Sequence, residues 1–212
     1  SAPFFQALKN IYAKIVNRFS ELEKKYQKEA KKGKVVNSAD EKNQIKNLID
    51  EAFKFLKEED LSEAEKKFIE IISLDPKNLK AYKGLGQVYL ELKEYKQAEQ
   101  TFMFVLQLEK KNSKLLQVEK GVEKYSNAHQ LADAHINLGE VYQFDNKSEK
   151  ALLNYQSALD LEPNNPRNID QILSLAIEMK NKNLAFDMMK KMEEVNPENQ
   201  KLKEYKEVIS KM

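Results

Sequence analysis

Residues 79–112 read LKAYKGLGQVYLELKEYKQAEQTFMFVLQLEKKN, and the rest of the chain falls into register around them. Tyr82, Leu85, Gly86 and Tyr89 stand 3, 1 and 3 residues apart, the spacing of one helical face. Lys93-Glu94-Tyr95 interrupts the pattern, and Ala98, Phe102, Val105 and Leu106 resume it. The stretch therefore predicts two amphipathic helices around a short turn. Gly86 and Ala98 are the small residues that let the helices approach, because interiors are close-packed. The window is 34 residues long, and its pattern recurs one window upstream and twice downstream after an interruption.

A helix–turn–helix unit of this period resembles the tetratricopeptide repeat (TPR). The units are 45–78, 79–112, 132–165 and 166–199. In the first, Leu48, Ala52 and Phe55 face Ala64, Phe68 and Ile71, Pro76 ends the unit, and Ser62 or Asp60 is the N-cap expected for the second helix. Glu51 departs from the family pattern there, which prefers an aliphatic residue. The third carries Leu138-Gly139, Tyr142, Ala151, Tyr155, Ala158 and Pro163. The fourth is the most divergent: Leu173 replaces the small residue, and Met188, Met189 and Met192 read as adaptable core. Residues 200–212, with Leu202, Tyr205 and Ile209 on one side, read as the cap that shields the end of a solenoid. The resemblance implies an all-α fold, a right-handed superhelix of four units, with a long N-terminal helix and a C-terminal capping helix.

Two segments stand outside the period. Residues 1–34 carry Phe5, Leu8, Tyr12, Ile15, Phe19, Leu22 and Tyr26 at alternating spacings of 3 and 4, the seam of one long amphipathic helix. This helix is expected from about Pro3 to a stop at Gly33, followed by a connector over 35–44. It carries nine basic and three acidic residues. Three readings stand for it: packing on the first repeat, association with a partner or a second copy, and a basic amphipathic helix lying near an anionic membrane. The other segment is the insert 113–131, where Leu115, Val118, Val122, Tyr125 and His129 continue a 3,4 spacing around Gly121. That spacing predicts an extended helical hairpin, each flanking helix gaining roughly nine residues, or about 13 Å, with a separate short helix and a second turn at Ser126-Asn127 as the alternative.

The chain of 212 residues has a net charge of +2 and no cysteine, which excludes disulfides, thiolate metal sites and cysteine nucleophiles. No global polyanion-binding signature is present, and nucleic acid is not an expected partner. His129 and His135 are six apart, off the i,i+4 spacing of a helical metal site, and no metal or cofactor is expected. Acidic residues are scattered, so no paired-carboxylate catalyst is expected, and the chain reads as a non-enzyme. No apolar run is long enough to span a membrane. The chain starts Ser1-Ala2 without Met, which leaves room for an upstream signal or anchor, so cytoplasmic and envelope or periplasmic settings both stand. Lysine-over-arginine bias points to AT-rich coding, and the composition resembles envelope-associated TPR proteins of Borrelia-type spirochaetes.

The family resemblance places partner recognition in the groove lined by the first helix of each unit. This implies Lys46, Ile49 and Phe53 in unit one, Lys80, Lys83, Gln87 and Leu90 in unit two, Asp133, Ile136, Asn137 and Glu140 in unit three, and Arg167, Asp170, Gln171 and Ser174 in unit four. The expected function is a protein–protein interaction scaffold or assembly factor binding a segment of another protein, with the N-terminal helix as a second contact. The alternative is a co-chaperone that holds a peptide's C-terminal carboxylate. Such members use Lys, Asn, Asn, Lys and Arg, cations and amides converging on one carboxylate. Here Lys83 and Asn137 match, Arg167 substitutes for the second Lys, Gln87 stands for the first Asn and Gln171 for the Arg.

Overall fold

The computed structural model describes residues 39–119 and 122–212. They form nine helices: α1 (Ala39–Lys57), α2 (Leu61–Leu74), α3 (Leu79–Glu91), α4 (Tyr95–Asn112), α5 (Ala128–Phe144), α6 (Ser148–Leu161), α7 (Pro166–Glu178), α8 (Lys182–Val195) and α9 (Leu202–Lys211). Successive helices pair as hairpins α1/α2, α3/α4, α5/α6 and α7/α8, each hairpin packs on the next, and α9 closes the stack on α8. One continuous apolar cluster runs from Leu48 in α1 to Ile209 in α9. Met189 and Met192 are buried in it, and Met188 packs against it. The expected N-terminal seam from Phe5 to Tyr26 lies outside the described residues.

The glycines fix how closely the helices approach. A Cβ on Gly86 would lie 2.7 Å from the Phe102 ring of α4, and one on Gly139 would lie 2.2 Å from the Tyr155 ring of α6. These two pairs are the same contact one unit apart. Gly84 does the same between hairpins, its missing Cβ making room for the Phe68 ring of α2 at 2.1 Å.

The hairpin turns repeat as strictly as the core. Glu59, Lys93, Asn146 and Lys180 all have positive φ, between 54° and 61°, although none is glycine. Each follows a first helix and closes it in the same way: Lys93 N–H donates to Leu90 O at 3.0 Å and Glu94 N–H to Tyr89 O at 2.8 Å. This left-handed stop favours glycine because a Cβ crowds the neighbouring carbonyl. Lys93→Gly and Lys180→Gly should each therefore raise stability by about 0.5–1 kcal/mol, while Asn146→Gly should be nearly neutral because Asn tolerates the conformation. Thermal denaturation of the single variants checks this, and equal gains at all three positions would contradict it.

Two boundaries differ from the sequence reading. Helix α1 starts at Ala39, inside the expected connector. The insert does not extend both helices by nine residues. Helix α4 has 18 residues against 14 in α2, and α5 has 17 against 13 in α3, so each gains about one turn. Between them lies an antiparallel strand pair, β1 (Leu115–Glu119) and β2 (Val122–Tyr125), in register Val118↔Glu123 and Glu119↔Val122. Segments this short satisfy helical and strand spacing equally, and a Gly near the midpoint of a Val-containing run favours the hairpin. Ser126 N–H donates to Lys114 O at 2.9 Å and closes the hairpin base, and β2 touches α6.

Candidate functional site

The first helices α1, α3, α5 and α7 recur at one register, so equivalent residues form rows across them. The first row is Lys46, Lys80, Asp133 and Arg167. Lys46 and Lys80 are exposed. Arg167 reaches across from α7, with one guanidinium nitrogen 3.2 Å from Asp133 Oδ1 and the other 4.0 Å from Glu140 Oε1. Gln171 Nε2 donates to the same Glu140 oxygen at 3.3 Å. Burial holds the Glu140 carboxyl above its ordinary range, Arg167 opposes that shift, and Asp133 adds to it.

The second row is Ile49, Lys83, Ile136 and Asp170. Ile49 is half-buried against the core. Ile136 was expected in the groove, but it is only 1% exposed and belongs to the core. Asp133 and Glu140 flank it on the same face of α5 at three and four residues, and Arg167 of α7 pairs with both. Asp170 pairs with Lys201 at 3.1 Å and accepts from the Tyr205 hydroxyl, tying α7 to the capping helix.

Lys83 also has a partner within the chain. Its Nζ lies 3.5 Å from Oε1 of Glu109, which is 4% exposed. Asn127 Nδ2 donates to Glu109 O at 3.0 Å and to Glu109 Oε2 at 3.1 Å. A buried carboxylate is tolerated when paired and hydrogen-bonded. Glu109 therefore joins α3, α4 and the start of α5 at the foot of the strand pair. Both cations expected to hold a peptide carboxylate, Lys83 and Arg167, thus face acids of their own chain.

The remaining expected residues stay accessible. Phe53 is 39% exposed and its ring makes a T-shaped contact with Phe68, centroids 5.2 Å apart. Gln87 is exposed, and Asn137 and Ser174 are half-buried. Sequence reasoning missed Glu109 and Asn127, which lie outside the first helices and carry no repeat signal. It also missed the Asp133–Arg167 pair, whose opposite charges at one register were a usable signal.

Neither histidine meets a metal-ligand set: among the described residues no cluster of three potential ligands occurs. His129 Nδ1 lies 3.1 Å from Glu162 Oε1, and His135 Nδ1 lies 3.1 Å from Asn154 Oδ1. Burial lowers the His135 pKa, with Lys110 adding and the Asn154 contact opposing. Folding therefore favours neutral His135. That contribution is complete above the unfolded pKa of about 6.5 and is lost as pH falls below it. Between pH 7.5 and 5.5 the melting temperature should drop more for the native chain than for His135→Gln, and equal drops would contradict the assignment.

Among the described residues no helix is long and apolar enough to cross a membrane. Family models described as "Tetratricopeptide repeat" match residues 55–117 and 132–165. No curated protein matches the chain. Among solved structures, MamA 41-end from Desulfovibrio magneticus is 21% identical, with a TM-score of 0.58 over 92% of this chain and 96% of that one. A tetratricopeptide repeat protein from Parabacteroides merdae is 18% identical, with a TM-score of 0.61 over 80% of this chain and 60% of that one. YrrB, described as a TPR protein with an unusual peptide-binding site, is 21% identical, with a TM-score of 0.51 over 77% of this chain and 80% of that one. At these identities the likeness establishes the fold.

Proposed function

We propose that this chain, whose units match tetratricopeptide repeat models over residues 55–117 and 132–165, is a non-enzymatic scaffold or assembly factor that recognises a segment of another protein on the face of α1, α3, α5 and α7. The observation that carries this reading is the contrast between the two halves of the face. In units three and four, Asp133, Arg167, Glu140, Gln171 and Asp170 spend their polar groups on one another and on α9. In units one and two Lys83 is paired with Glu109, but Lys46, Lys80, Gln87 and Phe53 are exposed, and the three polar side chains have no partner among the described residues. Accessible cations and an exposed apolar ring supply both the steering charge and the buried anchor that recognition of a peptide segment requires.

The carboxylate-holding alternative is not favoured. A peptide terminus would have to draw Lys83 from a buried Glu109 and Arg167 from Asp133, leaving those acids unpaired. An envelope setting remains part of the proposal through the composition alone, and cell fractionation of the full gene product tests it.

Selection of peptides from a library displaying the source organism's own proteins, on the full chain and on Lys46→Glu/Lys80→Glu, tests the function. Both lysines are exposed, so the variant keeps the fold. Enriched peptides should lose at least tenfold in affinity on the variant. Unchanged affinity across the enriched set would remove this face from the function. Equal binding of amidated and free-acid peptides would dispose of the carboxylate reading.

A further inference from the structure

We propose that residues 1–34 dock on the first helix hairpin of their own chain and cover the Ile49–Phe53 end of α1. The charge is distributed for such a contact. Residues 1–34 carry nine basic and three acidic side chains, a net +6. Residues 39–78, which form α1, α2 and the loops around them, carry seven lysines and eleven acids, a net −4. Residues 79–212 carry twenty of each and are neutral. The imbalance of the N-terminal segment is thus met in the unit that follows it directly.

The apolar surfaces correspond in the same way. Ile45, Ile49, Phe53 and Leu56 form a stripe along α1 at spacings of 4, 4 and 3. Three of them are half-buried and Phe53 is 39% exposed. The residues equivalent to Ile49 and Phe53 are Lys83 and Gln87 in α3, Ile136 and Glu140 in α5, and Asp170 and Ser174 in α7, and of these Ile136 is buried, so an exposed apolar side chain at these two positions, Phe53, occurs in unit one. At the other end of the stack, α9 buries Leu202, Tyr205 and Ile209, while no described helix covers the outer side of α1. The seam from Phe5 to Tyr26 is an apolar counterpart at matching 3,4 spacing.

Connectivity favours the chain's own segment over a second copy or a membrane. Only residues 35–38 separate the segment from Ala39, and a connection this short keeps the segment within reach of α1. A tether of that length gives an effective concentration on the order of millimolar, above that of any free competitor. The docking deepens the scaffold reading: the partner face is presented with its apolar end covered, and a partner that reaches Phe53 displaces the segment. That consequence rests on the proposed function. The docking itself is read without any partner, so the two fail separately.

The chain has no cysteine, so one introduced thiol is a unique attachment point. Lys46→Cys on the exposed face of α1, labelled with a benzophenone maleimide and irradiated in the full chain, should crosslink to residues 1–34 within the monomer. Asp187→Cys on α8 is the comparison site and should not. Crosslinks that join two chains, or yields to residues 1–34 no higher than from position 187, overturn the proposal. As a second measurement, Phe5→Asp/Tyr12→Asp/Phe19→Asp in the full chain should speed amide exchange in α1 at least tenfold and leave α7 to α9 unchanged. Unaltered exchange in α1 overturns it as well, and vesicle binding lost in that variant without any change in α1 would assign the segment to a membrane surface instead.

Discussion

Phe68→Ala should destabilise the chain by about 3–5 kcal/mol, the range for truncating a buried aromatic side chain. The ring is fully buried, its Cζ end lies where a Cβ on Gly84 would be, and it makes a T-shaped contact with the Phe53 ring. It therefore joins α2 to its own hairpin partner α1 and to α3 of the next hairpin. Truncation opens a cavity where these three helices meet through one side chain. The stability of a repeat stack is close to a sum of unit and interface contributions. The loss should accordingly be local: hydrogen exchange should rise by orders of magnitude in α1 to α3 and little in α7 to α9. A loss below about 1 kcal/mol, or one spread evenly along the stack, would contradict this placement of Phe68.

Gly139→Ala should cost about 1–3 kcal/mol or more, because the added methyl has nowhere to go. Tyr155 ring atoms lie 2.2, 2.4 and 2.9 Å from the ideal Cβ position. The ring has no room to withdraw: Tyr155 is fully buried, and its hydroxyl donates to Gln143 Oε1 at 2.8 Å. Withdrawal would add the loss of a buried hydrogen bond, a further ~1 kcal/mol. Desolvation also raises the Tyr155 pKa, as expected of a phenol held away from water. The decisive measurement is a double-mutant cycle. In a Tyr155→Leu background the ring is gone, and Gly139→Ala should then cost little, giving a coupling of about 0.5–3 kcal/mol. Additive costs would show that the contact is not what limits this position.

The same pairs explain why so much of the fold was legible. Gly86 with Phe102 and Gly139 with Tyr155 are a small residue and a large one at fixed separation, recurring with the unit. A stack of repeats contacts itself mainly between sequence neighbours, so period and packing report the same thing. The capping helix was readable for the same reason, since Leu202, Tyr205 and Ile209 share a face and are buried together.

The candidate site was legible only in part. Phe53, Lys46, Lys80 and Gln87 are exposed. Ile136 is instead buried in the core, and helical spacing alone says nothing of how closely a neighbouring helix packs over a residue. Lys83 and Arg167 appeared as available cations, yet each is engaged by an acid distant in sequence, Glu109 at 26 residues and Asp133 at 34. The insert was misread because alternating and helical spacings coincide over strands of five and four residues.

The sequence by itself determined the unit, its period, the residues that pack inside it and the place where the period breaks. Those follow from local spacing and side-chain size, which repeat along the chain. Tertiary structure alone decided which charges are accessible on the first-helix face and that the insert pairs as strands. Both depend on groups brought together from different units, and a carboxylate buried four helical turns along α4 neutralises a lysine on α3 without leaving any trace in the repeat.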